Sequence, residues 1–138
     1  MRVSQRLDYT LRGLTALAEQ EPGAQVPAGT IADRLGLPRR FVEQQFTALA
    51  RAALVECRRG AGGGCQLSRP AEEITVGEIV RAVQGSALDV PRVSGSAVSE
   101  MWATVAVELD ASLEDVTLAE LAARQRELDA EAAPMYYI

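Results

Sequence analysis

The chain has 138 residues, enough for one domain with a substantial appendage. It is 48% apolar but only 4% aromatic, so aliphatic side chains must fill its core. The absence of histidine excludes zinc sites that use it, and two cysteines cannot build a closed four-thiolate site within one chain. No targeting segment and no apolar run of membrane-spanning length is present, which leads us to expect a cytoplasmic protein with no membrane partner. In that compartment the two cysteines read as reduced thiols rather than as a structural disulfide.

The net charge of −5 argues at first against a nucleic-acid partner, but its distribution reverses the impression. Residues 1–70 hold ten arginines against six acidic residues, a surplus of +4, whereas residues 71–138 hold four against thirteen, a balance of −9. A basic front and an acidic rear fit a protein that meets DNA on one side only. Chance asymmetry on a solvated surface is the plainer reading of charge alone.

Ser4 is placed to cap a helix from Gln5 to about Glu19, with Leu7, Leu11, Leu14 and Ala18 as its apolar stripe. Pro22-Gly23 ends it. Pro27 opens a short helix through Leu35, with Ile31, Ala32 and Leu35 inward, and Gly36 stops it. Pro38 starts a longer helix to about Ala53. A short helix, a glycine-containing turn and a longer helix make the helix-turn-helix pattern.

The third helix is expected to bury Val42, Phe46, Leu49 and Ala53 and to turn Arg40, Glu43, Gln44, Thr47 and Arg51 the other way. Arg pairs with guanine edges, Gln with adenine, and Glu accepts from cytosine. Residues near the start of such a helix reach deepest into the major groove, which singles out Arg39, Arg40, Glu43 and Gln44. Taken alone, the same face also reads as the ordinary polar side of a surface helix.

Val55–Leu67 follows at once: two short extended runs around Gly60, Gly62, Gly63 and Gly64, with Arg58 and Arg59 at the edge. A phosphate-binding P-loop needs a following Lys-Ser/Thr and a helix, and this chain contains no lysine. A dinucleotide fold needs glycines that open a helix. A basic hairpin behind a helix-turn-helix reads instead as a wing, with Arg58 and Arg59 reaching phosphates or a minor groove.

Thr75-Val-Gly-Glu78 is a capping box opening a helix to about Gln84, with Ile79, Val80 and Val83 on its apolar side. Residues 85–96 read as a loop. A long helix at about Ala97–Ser112 follows, striped by Val98, Met101, Trp102, Val105 and Leu109. A two-fold dimer is the economical partner for that stripe, since each subunit then reads one half-site; folding back on its own domain is the alternative. Thr117-Leu-Ala-Glu120 caps an acidic helix to about Ala130, and Met135-Tyr-Tyr-Ile138 forms an apolar tail. The expected class is mainly α with a small β-hairpin: a winged helix-turn-helix domain over 1–84, a loop over 85–96, and a dimerisation helix, last helix and tail over 97–138.

Five motifs in register give the chain a family resemblance: Met1-Arg-Val-Ser4 with Asp8-Tyr9, Ile31-Ala32 through Gly36-Leu37, Phe41-Val-Glu-Gln44, Arg59-Gly-Ala-Gly-Gly-Gly64 and Glu73-Ile-Thr-Val-Gly-Glu-Ile-Val80. In these it resembles the Rrf2 family of bacterial transcription regulators, densely over 1–85 and weakly through Trp102 and Thr117-Leu-Ala-Glu-Leu121. The resemblance implies a homodimer, built on the long helix, on a near-palindromic duplex DNA operator. With no histidine, no metal constellation and no nucleophile with a partnered base, no enzymatic activity is expected. It places Arg2 and Ser4 near the DNA backbone, the Glu43–Gln44 helix in the major groove and the Arg58–Gly64 wing in the minor groove.

Three departures follow. Many relatives hold an iron–sulfur cluster on three cysteines before the long helix, but residues 85–99 here contain none, so the expected cofactor is none. Ala61 stands where relatives usually carry proline. Cys65 stands where they usually carry an aromatic residue, and around a turn centred on Ala61 it falls opposite Cys57. A cross-strand thiol switch is the sharper reading of that pair, with Arg58 and Arg59 favouring the reactive thiolate; two small, half-buried side chains is the plainer one. Two other functions fit the same residues: a regulator sensing a small molecule in a pocket near Trp102, and a winged-helix module that binds protein instead of DNA.

Overall fold

The computed structural model describes residues 2–133. Six helices and one hairpin follow in order: α1 (Gln5–Ala18), α2 (Ala28–Leu35), α3 (Arg39–Arg51), β1 (Val55–Arg58), β2 (Gly64–Leu67), α4 (Val76–Gln84), α5 (Ala97–Glu114) and α6 (Leu118–Ala132), with a single 3-10 turn at Ala71–Glu73. The tail beginning at Met135 lies outside the described residues. Among those residues no helix is long and apolar enough to cross a membrane.

The helix starts obey local chemistry. Ser4, Thr75 and Thr117 stand at the N-caps, and their hydroxyls accept from Leu7, Glu78 and Glu120 N–H at 3.1 Å each. Each bond satisfies a donor that the first turn leaves without a partner. The Glu78 carboxylate of the first capping box pairs with Arg69. Pro27 and Pro38 sit one residue before their helices, at the caps.

Phe46 of α3, Leu14 of α1, Ile31 of α2, Ile79 of α4 and Leu118 of α6 are each at most 2% exposed and share one core with Ile74 and Val55. The α3 stripe holds at Val42, Phe46 and Leu49 but not at Ala53. That residue lies past the helix end with φ +60, exposed, because the chain turns there to begin the wing.

α6 returns to the body. Leu118 and Ala122 are buried, and Arg126 donates to the carbonyls of Ala18 and Glu19, covering the open end of α1. A backbone bridge between Thr75 and Thr117 sets this return: Val76 N–H donates to Val116 and Leu118 N–H to Ile74, at 2.8 and 2.9 Å. α5 is fastened mainly at its last turn. Leu113 packs on Leu7, Val76 and Val80, while Glu114 accepts from Thr75 Oγ1 at 3.0 Å and pairs with Arg81. These hydrogen bonds, Arg81 first, hold the Glu114 carboxyl below its ordinary range. No residue of α5 is buried.

The wing is pinned from a third side. Cys65 exchanges both backbone hydrogen bonds with Val26, 2.8 and 2.9 Å, which adds the α1–α2 connection to the hairpin's edge. Gly64 makes this approach possible: a Cβ there would stand 2.6–2.8 Å from Val26 and Pro27 backbone atoms, and its φ is +147. Gly64→Ala is therefore expected to destabilise the fold by more than about 1 kcal/mol, seen as a melting temperature lower by a few degrees; an unchanged melting curve would contradict this seam.

Candidate nucleic-acid interface

α3 presents its polar face as a surface. Arg40, Glu43, Gln44, Thr47 and Arg51 are exposed opposite the buried Val42, Phe46 and Leu49. The start of the helix is held on both sides. Phe41 meets Tyr9 of α1 edge to face, centroids 5.6 Å apart, and Arg39 grips Asp33 of α2 through two hydrogen bonds, one of 3.1 Å from Nε. That pairing raises the Arg39 pKa and lowers that of Asp33, the side-chain hydrogen bond being the chief cause of both. Of the four residues singled out for base reading, Arg40, Glu43 and Gln44 are therefore open, while Arg39 is already engaged in joining the two helices of the motif.

The wing leaves α3 after only three residues. Leu54 N–H donates to Leu49 and Ser68 N–H to Leu54, at 3.0 and 3.1 Å, so both hairpin strands start from the helix end. The register pairs Val55 with Leu67, Glu56 with Gln66, Cys57 with Cys65 and Arg58 with Gly64. At the tip, Gly63 N–H donates to Gly60 at 2.9 Å and Gly62 has φ +75. This is the form of a type II turn with Ala61 at its second position, where proline is commonly accommodated. Arg58, Arg59 and Gly60 are exposed beside it. Arg2 and Ser4 are exposed at the entry to α1, and Ser4 also caps that helix.

The arginines divide into two sets. Arg6, Arg12, Arg34, Arg39, Arg69, Arg81, Arg124 and Arg126 donate to carboxylates or carbonyls of the fold. Among the described residues Arg2, Arg40, Arg51, Arg58, Arg59 and Arg92 make no such bond. All but Arg92 are among the residues expected from the sequence to contact DNA.

The two thiols are not free. Cys57 and Cys65 form a disulfide, contrary to the reduced state expected from the sequence. Direct opposition on adjacent strands brings their Cα atoms within 4.1 Å. A groove of about 780 Å³, lined by the end of α1, residues 20–24 and 66–72 and α6, includes no residue of α5 and so is not the pocket expected near Trp102. The return of α6 onto α1 builds that groove. The α5 stripe is left facing outward, with Val98 61%, Met101 48% and Trp102 38% exposed and Val105 and Leu109 half-buried.

Two functional parts had no clear sequence signal. Val26 joins the wing only through backbone bonds, and Asp33 matters only because α2 and α3 bring it to Arg39.

Comparison with known proteins agrees with this architecture. The family model Rrf2, described as an iron-dependent transcriptional regulator, matches residues 3–124. The chain is 30% identical to the transcriptional regulator IscR of Escherichia coli K12, covering 94% of this chain and 85% of that one. Its fold resembles CymR, the global cysteine regulator of B. subtilis, with a TM-score of 0.81 at 28% identity over 90% of this chain and 98% of that one. It also resembles IscR of T. potens, with a TM-score of 0.79 at 31% identity over 99% and 97%. The iron named in the family's description finds no fitting residues here: residues 85–99 hold no cysteine, both cysteines are bonded to each other in the wing, and among the described residues no cluster of three His, Cys, Asp or Glu could hold a metal ion. With its helix-turn-helix, its hairpin wing and these relatives, the chain belongs to the Rrf2 family of DNA-binding transcriptional regulators.

Proposed function

We propose that the chain acts in the cytoplasm as a homodimer on a near-palindromic operator and does so without an iron–sulfur cluster. The observation that carries the DNA docking is the arginine division: among the described residues, five of the six arginines with no partner in the fold sit on α3, the wing and the N-terminal entry, and only Arg92 lies elsewhere. Arg40, Glu43 and Gln44 read base edges in the major groove, Arg51 and Arg2 contact phosphates, and Arg58 and Arg59 reach the flanking minor groove over the Gly60–Gly63 tip. Arg39 supports this indirectly, by holding the start of α3 to α2.

The α5 stripe supports the dimer. Val98, Met101 and Trp102 stay open on a helix tied to the body at its other end, and a second copy of the same stripe would cover them. The acidic C-terminal half then lies away from the DNA, where it does not oppose binding.

Salt-titrated gel shifts test the docking. Arg59→Ala is expected to weaken binding to all sequences and to flatten the dependence of log affinity on log salt by about one ion, whereas Gln44→Ala should mainly relax base preference. Unchanged affinity, salt slope and preference in both variants would remove this docking mode. Protein purified without oxygen is expected to be colourless above the aromatic absorption. A visible cluster band, together with bound iron, would overturn the cluster-free reading.

A further inference from the structure

The wing carries chemistry that DNA contact does not use. Cys65 spends both its backbone N–H and its C=O on Val26. It therefore has no ladder bonds to offer β1, and Cys57–Cys65 is the narrow, non-hydrogen-bonded rung of the hairpin, with Cα atoms 4.1 Å apart. The disulfide supplies the cross-strand link where the backbone supplies none. Beyond it the wing has one further rung, Arg58 to Gly64, and the turn from Gly60 to Gly63. Glycines cannot pack a tip, so the sulfur bridge is the last side-chain tie before the arginines assigned to DNA.

The two sulfurs are unequal. Cys65 is 5% exposed and belongs to the core, whereas Cys57 is exposed. A small thiolate from solvent therefore meets Cys57 first. Its sulfur bonds to the Cys57 sulfur while the Cys57–Cys65 bond breaks, and the electron pair leaves on Cys65 as a thiolate. A second small thiolate then attacks the mixed disulfide, giving a small-molecule disulfide and the Cys57 thiolate, and both cysteines take up protons. Two small thiols are oxidised and one protein disulfide is reduced; the reverse exchange consumes a small disulfide. A disulfide in a compartment that also holds DNA is usually transient rather than structural.

We propose that Cys57–Cys65 is a reversible redox site exchanging with low-molecular-weight thiols and disulfides, and that its oxidised form is the one that binds DNA tightly. The proposal rests on the wing docking described above. The bridge holds Arg58 and Arg59 ready, so oxidised protein need not order the tip on binding. With the bridge open, the competent wing conformation is one among several. Apparent affinity falls by the fraction lost, about three- to tenfold if that conformation is populated a tenth to a third of the time.

The test uses the full chain and a duplex recovered by selection from random sequences. The protein is equilibrated across ratios of reduced to oxidised glutathione. The disulfide fraction is read by alkylation and intact mass, and affinity by fluorescence anisotropy on the same samples. Affinity is expected to fall about three- to tenfold as the disulfide opens, with both readouts sharing one midpoint. Cys57→Ser, which leaves the core residue Cys65 in place, should bind with the reduced protein's affinity at every ratio. Binding that ignores a fully opened disulfide, binding that tightens on reduction, or a bridge that never opens across the series would each overturn the proposal while leaving the DNA-binding reading intact. No selectable duplex in either redox state would overturn both.

Discussion

The exchange of backbone hydrogen bonds between Val26 and Cys65 fixes where the wing stands. Without it the hairpin would hang from the end of α3 by its own two strands, and a two-stranded hairpin alone is marginal in water. With it, the α1–α2 connection, α3 and the wing become parts of one core that runs through Phe46, Ile31 and Val55. Gly64 is the residue that permits the seam, since any side chain there meets the Val26 backbone. The same seam withdraws the backbone of Cys65 from β1 and so leaves its side chain as the link to Cys57.

Much of this architecture was legible because it is local. Ser4, Thr75 and Thr117 announce helix starts by an oxygen placed before the first turn, and the apolar spacing of Val42, Phe46 and Leu49 marks which side of α3 is buried. The alternation around Gly60–Gly64 places Cys57 opposite Cys65. The parts that escaped depend on residues far apart in the chain. The spacing of Thr117 and Leu118 signals a capped helix but not its destination, because the bridge to Ile74 and Val76 exists only in the fold. The pairing of Arg39 with Asp33 has no local signal, because the two residues lie on different helices. Ala53 continued the helical spacing yet fell beyond the helix, where the chain reverses toward β1. The disulfide defied a rule drawn from compartment, which describes the average thiol and not two thiols held on one rung.

Charge allocation connects fold to function. Arginines that brace the body are matched to Asp8, Glu19, Asp33, Glu78 or Glu114, or to helix-end carbonyls, and contribute to packing and capping. Arg40 and Arg51 of α3, Arg58 and Arg59 of the wing and Arg2 at the N-terminal entry are left to solvent. Exposed ion pairs are worth little to stability, so the unmatched set costs the fold little, while each phosphate it neutralises releases a counterion. A protein of net charge −5 can thus bind an anionic polymer, provided its acidic helices α5 and α6 stay on the far side. In the proposed dimer, the open apolar stripe of α5 would bring two such basic faces to one duplex.

Hydroxyl-radical footprinting on a selected operator reads that proposed pairing directly. A dimer built on α5 with α3 in each major groove predicts two protected half-sites related by a dyad, their centres about one helical turn, 34–36 Å, or a multiple of it apart, with protection at both outer minor grooves weakened in Arg59→Ala. A single unsymmetrical protected patch, unaffected when the second half-site is scrambled, would contradict it.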